Sequence, residues 1–201
     1  MRHRILATGA AIVMLTLAGC TSATDSLAGQ YQDGSGQGYI SGDGAFTEIP
    51  IAERGDPVEF SGPAGNGTTI SSDDFDGQVH VVNFWYASCP PCRAEAPDLK
   101  SLSDEYADVP FLGVNTADDG ANAATFERTF EIEYPSILDA KTNSVQLAFA
   151  TAGAVAPNAV PTTLVIDRDG RVAARISGRI ADTKILAAMI DTVVAEQNPG
   201  S

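Results

Sequence analysis

A cysteine pair that follows a buried-strand pattern constrains this chain more than any other feature. An apolar run over residues 79–85 breaks off and is followed by the tetrapeptide C-P-P-C at 89–92. Apolar residues with helical spacing come next, at Leu99 and Leu102. The order of strand, sharp turn and helix predicts that Cys89 lies just ahead of a helix N-terminus.

This position favours a reactive thiol. Unpaired backbone N–H groups and the positive end of the helix dipole stabilise a thiolate relative to a thiol. Pro90 and Pro91 suit the first helical turn, because proline has no N–H that would be left unpaired there. Two cysteines separated by two residues can close a small disulfide and reopen it. The pattern therefore predicts a redox centre.

The first residues have the features of an export signal. Arg2 and Arg4 form a short basic start, and residues 5–18 form an apolar stretch shorter than the roughly 20 residues that span a bilayer. The letters L-A-G-C at 17–20 end this stretch and resemble a bacterial lipoprotein signal. Cleavage of residues 1–19 would leave Cys20 lipidated on the outer face of the cytoplasmic membrane. An ordinary secretory signal or a retained anchor is the alternative.

The number of cysteines supports catalysis over a structural role. The chain has three, and lipidation of Cys20 leaves only Cys89 and Cys92 outside the membrane. Closing so short a loop removes little chain entropy, so a structural disulfide would gain little there. A closed zinc site needs about four ligands, and the mature chain offers only His80 beside these thiols. We therefore predict no metal and no cofactor other than the disulfide.

The charge balance limits the classes of partner. The chain has 12 Lys and Arg against 26 Asp and Glu, a net charge of −14. Removal of Arg2 and Arg4 with the signal leaves 10 basic and 26 acidic residues, a net charge of −16. An acidic surface repels nucleic acids and anionic lipids. Nucleic acid is therefore not expected as a partner.

The composition predicts one folded domain behind a tether. Residues 20–45 are rich in Ser, Gly, Asp and Gln and are predicted to be a lipid-anchored flexible tether. Residues 46–197 form the predicted domain, and 198–201 a short tail. A hairpin around a Gly-rich loop at 62–67 is predicted at the N-terminal side of the domain.

The remaining pattern predicts an α/β fold with a central mixed β-sheet flanked by helices. After the cysteine helix come a second buried strand at 111–115 and helices at 120–130 and 141–150. A strand at 162–167 and another at 172–177 form a hairpin, and a last amphipathic helix opens near Asp182.

These features resemble a thioredoxin fold over roughly 46–197, with an N-terminal β-hairpin and an inserted helix. The segments N-F-W at 83–85, E-A-P at 95–97 and V-P-T-T at 160–163 are similar to the TlpA/ResA branch, membrane-tethered bacterial thiol–disulfide oxidoreductases. Ser88 departs from that branch, which commonly has tryptophan before the first cysteine. The departure leaves open the shape of the active-site rim.

The resemblance implies roles for the residues at the cysteine turn. Cys89 would be the attacking nucleophile and the more exposed thiol, and Cys92 would be buried and resolve the mixed disulfide. Glu95 would be the active-site acid that exchanges a proton with Cys92. The alternative for Glu95 is a solvated acid of the first helical turn, which is favourable there in any case.

Three further residues are predicted to contact the substrate. Pro161 matches the cis-proline that faces the cysteines in this family, and exposed backbone at Val160 would pair with an extended substrate. The alternative is a trans proline that begins an edge strand. Trp85 is predicted to line the site, although aromatic residues that end a buried strand also belong to cores. His80 is expected to be a strand residue with no chemical role. The acidic pair at 118–119 is expected to lie in a solvated turn.

The predicted function is reduction of protein disulfides outside the cytoplasm by a lipid-anchored enzyme. By resemblance, the substrate is the C-x-x-C-H segment of apocytochrome c, and a membrane protein returns electrons to the oxidised pair. The same residues could instead introduce disulfides into secreted proteins. A copper-binding assembly lipoprotein and a non-enzymatic binding lipoprotein are alternatives of other classes, but the former generally has C-x-x-x-C and a distant histidine.

Overall fold

The computed structural model describes residues 45–153 and 159–196. The predicted signal peptide, Cys20, nearly all of the tether and the C-terminal tail lie outside these residues. Among the described residues, no helix has both the length and the apolar character needed to cross a membrane.

The strands form a six-stranded sheet and a separate two-stranded hairpin, with helices between them. The strands are β1 (Ala45–Glu48), β2 (Ser61–Pro63), β3 (Thr69–Ser71), β4 (His80–Trp85), β5 (Phe111–Asn115), β6 (Ser136–Leu138), β7 (Thr162–Ile166) and β8 (Val172–Ser177). The α-helices are α1 (Pro90–Glu105), α2 (Gly120–Phe130), α3 (Ser144–Thr151) and α4 (Thr183–Ala195). Short 3-10 turns cover Ile51–Glu53 and Ser72–Phe75.

The large sheet has the strand order β1-β8-β7-β4-β5-β6. Strands β4, β5 and β6 run parallel, whereas β7 is antiparallel to both β4 and β8, and β1 is antiparallel to β8. The predicted α/β class with a mixed sheet flanked by helices is confirmed. The predicted N-terminal hairpin is also confirmed, as the β2–β3 pair, but it forms a sheet of its own.

Central strand β4 is buried along its whole length, which explains its nearly continuous apolar sequence. Its side chains reach two core clusters: Val82, Phe84 and Trp85 join one, and Val81 joins the other. Helix α1 contributes to both clusters. Cys92 belongs to the first and Leu99 to the second. The cysteine turn is thus attached to the best-buried strand and to a helix that is packed along its length.

Two strands and one helix start were not predicted. Strand β1 has only the letters A-F-T-E, without a strand pattern of its own, and forms by pairing with β8. Strand β6 has three residues and pairs with β5. Helix α3 begins at Ser144 rather than at the predicted 141, because the buried carboxylate of Asp139 accepts hydrogen bonds from the N–H groups of Val145 and Gln146.

Candidate active site

The predicted cysteine pair is joined by a disulfide where β4 leads into α1. The α-carbons of Cys89 and Cys92 are 5.3 Å apart, within the usual range for a disulfide. Cys89 is the N-cap of α1, and its sulfur accepts a hydrogen bond from the Cys92 N–H at 3.2 Å. Pro90 and Pro91 occupy the first helical positions, as predicted.

The helix N-terminus favours a thiolate at Cys89. The first turn of α1 contains no acidic residue, so nothing in that turn offsets the positive end of the helix dipole. Arg93 lies in the same region, where its guanidinium donates to the carbonyl of Ala87 at 3.2 Å. Backbone N–H groups at a helix N-terminus stabilise the thiolate form of a cysteine.

The predicted exposure of Cys89 is wrong for this oxidised structure. Cys89 has 0% of its surface exposed and Cys92 has 2%, and both belong to a core cluster that also contains Val160. The sulfur of Cys89 faces the N-terminal turn of α1 instead of solvent. Ser88 and Pro90 on either side are exposed.

Glu95 is fully buried, so the alternative of a solvated acid is wrong. Its Oε1 accepts a hydrogen bond from Nδ2 of Asn83 at 3.0 Å, and its Oε2 accepts one from the N–H of Ile180 at 3.0 Å. Burial raises the pKa of Glu95 to about 8, and the hydrogen bonds from Ile180 and Asn83 and the charge of Arg179 oppose this rise. The carboxyl group is therefore mainly protonated at neutral pH.

Asn83 is a site residue for which the sequence predicted no role of its own. Its Nδ2 donates to Glu95 and also to Oγ1 of Thr163 at 3.0 Å. Asn83 and Thr163 face each other in the β4–β7 ladder. Thr163 lies two residues after Pro161. The one feature of the sequence that indicates such a role is an amide side chain within an apolar strand, because a buried polar side chain needs hydrogen-bond partners.

The Val160–Pro161 peptide bond is cis, as the resemblance implies, and the trans alternative is wrong. The carbonyl of Pro161 accepts a hydrogen bond from the N–H of Gly178 at 2.9 Å. Val160 is only 2% exposed, so the predicted exposure of this segment is wrong here as well. Pairing of Val160 with a substrate would require that it become uncovered.

Trp85 lies in the core behind the cysteines. Its side chain is 4% exposed, and its ring stacks on Phe126 with 4.3 Å between ring centroids. Together with Cys92 and Tyr134 it lines a cavity of about 10 Å³, roughly the room for one water molecule. This burial does not favour the predicted contact of Trp85 with a substrate.

The remaining polar residues singled out in the sequence lie elsewhere. His80 begins β4, at the end of the strand opposite to Cys89, where it is buried and stacked on Phe75 with 4.5 Å between ring centroids. The prediction of a solvated turn at 118–119 holds for Asp119, which is exposed and is the N-cap of α2. It is wrong for Asp118, which is half-buried and accepts hydrogen bonds from Ala87 and Asn115. Within residues 45–153 and 159–196, no three His, Cys, Asp or Glu side chains are grouped to hold a metal ion.

Comparison with known proteins agrees with this geometry. The model of the Redoxin family matches residues 52–190. The chain belongs to the Redoxin family. The thiol:disulfide interchange protein HelX of Rhodobacter capsulatus is 30% identical, with 72% of this chain and 78% of the relative covered. The thiol-disulfide oxidoreductase ResA of Bacillus subtilis is 26% identical, with 67% and 73% covered.

A solved structure matches the fold at similar identity. A secreted thiol-disulfide isomerase from Corynebacterium glutamicum superposes with a TM-score of 0.67 and 30% identity, over 78% of this chain and 96% of that one. The thioredoxin fold and the resemblance to ResA-like proteins are therefore confirmed. With its bonded Cys89–Cys92 pair, this Redoxin family member is a thiol–disulfide oxidoreductase.

Proposed function

We propose that this thiol–disulfide oxidoreductase works outside the cytoplasm, tethered to the membrane, and that it reduces protein disulfides. The observation that carries the proposal is the arrangement around the Cys89–Cys92 disulfide. It caps a helix that has no acid in its first turn, and Glu95 lies buried one helical turn beyond Cys92. The cis peptide bond at Pro161 belongs to the same core region.

The reaction transfers two electrons to the substrate. The thiolate of reduced Cys89 attacks one sulfur of a substrate disulfide, a mixed disulfide forms, and the other substrate sulfur leaves as a thiolate. Cys92 then loses its proton, and its thiolate attacks the sulfur of Cys89. The mixed disulfide breaks, the second substrate sulfur leaves and both substrate thiolates take up protons. The substrate is reduced and Cys89–Cys92 is oxidised.

Glu95 is suited to handle the proton of Cys92. Its pKa of about 8 is close to the ordinary value of a thiol, about 8.5. Proton transfer is most effective when the donor and acceptor have similar values near the working pH. Above pH 8, where Glu95 is mainly ionised, it also repels a nearby thiolate and so disfavours the reduced pair.

The reduction potential of the pair tests the proposed direction. Equilibration of the full-length protein with dithiothreitol or glutathione, followed by thiol alkylation and mass spectrometry, gives the fraction that is oxidised. We expect a value near or below that of thioredoxin, about −270 mV. A value near about −120 mV, which is typical of a strong periplasmic oxidant, would contradict the reducing direction and support the introduction of disulfides instead.

The substrate that the family resemblance suggests is the disulfide form of the C-x-x-C-H segment of apocytochrome c. The residues that flank such a disulfide could extend and pair with the backbone beside Pro161 once that backbone is uncovered. A membrane protein would then return electrons to the oxidised pair. We propose these partners from the resemblance and from the chemistry of the pair.

Attachment to the membrane depends on Cys20 in this proposal. Replacing Cys20 with alanine is expected to move the protein from the membrane fraction to the soluble fraction, because the lipid is attached to the Cys20 sulfur. Fractionation of cells that express each variant, followed by immunoblotting, measures the change. Ser22→Ala is the control and should stay with the membrane. A Cys20→Ala protein that remained fully membrane-bound would point to a retained anchor instead.

A further inference from the structure

The carboxylate of Asp118 holds the turn that carries Cys89. Asp118 follows β5, and its Oδ2 accepts a hydrogen bond of 2.6 Å from the peptide N–H of Ala87, two residues before Cys89. A contact this short to a carboxylate is a strong, charge-assisted hydrogen bond. The contact joins two loops that are 31 residues apart in the sequence.

The position of Asp118 is fixed from the core of the sheet. Asn115, the last residue of β5, is fully buried. Its Nδ2 donates to Oδ2 of Asp118 at 2.8 Å, and its Oδ1 accepts the backbone N–H of Asp118 at 2.8 Å. Its own carbonyl accepts the N–H of Asp139 at 2.9 Å. The carboxylate is therefore held in one place by a rigid element.

Ala87 is held from both sides by groups of opposite charge. Its N–H donates to Asp118, and its carbonyl accepts from the guanidinium of Arg93 at 3.2 Å. The same turn is closed by a hydrogen bond from the N–H of Cys89 to the carbonyl of Tyr86 at 3.2 Å. Any movement of Ala87 would therefore move Cys89.

We propose that Asp118 is a positioning residue of the redox reaction: it fixes the Cys89 turn through Ala87, and its negative charge disfavours the Cys89 thiolate. This inference rests on the proposed function, in which Cys89 is the attacking group. The α-carbons of residues 87 and 89 are at most about 7 Å apart. The charge therefore lies at the turn that carries the sulfur, where the burial of Cys89 weakens screening by salt.

The charge has a defined effect on the redox equilibrium. Cys89 is ionised to a thiolate only after reduction, whereas the disulfide is neutral. A nearby negative charge therefore destabilises the reduced form and shifts the equilibrium toward the disulfide. Asp118 therefore opposes the stabilisation of the Cys89 thiolate by the helix dipole and Arg93. The pair is a better reductant with Asp118 than it would be without this charge.

Asp118→Asn tests this inference, with Asp119→Asn as the matched control. Both variants remove one negative charge from neighbouring residues, but Asp119 contacts the N–H of Asn122 instead of the cysteine turn. We expect Asp118→Asn to shift the equilibrium with dithiothreitol toward the reduced protein by about threefold to tenfold, or about 15–30 mV. Alkylation of Cys89 should also reach its half-maximal rate at a lower pH. Asp119→Asn should change the equilibrium constant with dithiothreitol by less than twofold and leave the pH of half-maximal alkylation close to that of the wild type.

Equal behaviour of the two variants would overturn the inference, as would a shift of Asp118→Asn toward the disulfide. Thermal unfolding of each variant checks that the fold is retained, and the equilibrium is compared only at temperatures where both are folded. The inference can fail separately from the proposed function. Absence of disulfide reduction by the wild-type protein would overturn the function, whereas the thiol titrations of the two variants would still report on Asp118.

Discussion

Replacing Cys89 with serine is expected to lower the rate of disulfide reduction by about a thousandfold or more, to the rate of the uncatalysed exchange. A hydroxyl group is not ionised at neutral pH and cannot form the mixed disulfide, so no later step can compensate. The rate of reduction of a peptide disulfide by the pre-reduced full-length protein measures this loss. Ser88→Ala, at the exposed neighbouring position, is the matched control and should stay within about twofold of the wild-type rate.

Cys92→Ser should behave differently from Cys89→Ser. The first attack needs only Cys89, so this variant should still react once, but the mixed disulfide should accumulate because no second thiol can release the substrate. Loss of activity without such an adduct would mean that Cys92 contributes to the first attack. Full activity of Cys89→Ser would contradict the assignment of the nucleophile.

Glu95→Gln is expected to slow the release of substrate from the mixed disulfide by about a hundredfold at neutral pH. Glutamine has the shape of the acid and can still accept the hydrogen bond from Asn83, but it cannot take a proton from Cys92. The wild-type release rate should rise with pH through about 8 as Glu95 ionises. Single-turnover rates measured between pH 6 and 9 should show this rise in the wild type and lose it in the variant.

The same substitution should change how stability depends on pH. The pKa of Glu95 is raised from 4.5 to about 8, so between these values the folded protein keeps a proton that the unfolded chain has lost. The wild-type free energy of unfolding should therefore fall as pH rises from 4.5 to 8, and level off above 8. The contribution of Glu95 to this fall is about 3–5 kcal/mol. Chemical denaturation at a series of pH values should show a shallower fall for Glu95→Gln.

Glu105→Gln is the matched control for this experiment, since Glu105 is an exposed residue at the other end of the same helix. Its stability curve should run parallel to that of the wild type. Parallel curves for the wild type and Glu95→Gln would contradict the buried, protonated state of Glu95. Such a result would leave the release of substrate to another base.

The sequence predicted the features that depend on local pattern. The C-P-P-C turn, the apolar run of β4 and the helix after Asp182 lie within segments that carry a recognisable signal. The cis bond at Pro161 was expected from the family resemblance alone. Strand β1 has no such signal and exists because β8 offers it an edge. Its prediction would have required the position of β8 in the folded sheet.

The missed parts of the site depend on contacts between distant residues. Asp118 looked like a solvated turn because its partner Ala87 is 31 residues away. Asn83 is 12 residues from Glu95 and 80 from Thr163 along the chain. The burial of Cys89 depends in the same way on the packing around the turn. A helix N-cap position alone predicts a polarised sulfur but says nothing about what covers it.

Mapping the mixed disulfide tests most directly whether Cys89 is the attacking cysteine. The Cys92→Ser and Cys89→Ser proteins would each be reduced, mixed with an excess of a peptide disulfide, quenched with acid and digested for mass spectrometry. We expect rapid formation of a peptide adduct at Cys89 in the first protein and little adduct at Cys92 in the second. An adduct that formed at Cys92 as fast as at Cys89 would contradict the assignment of Cys89 as the nucleophile.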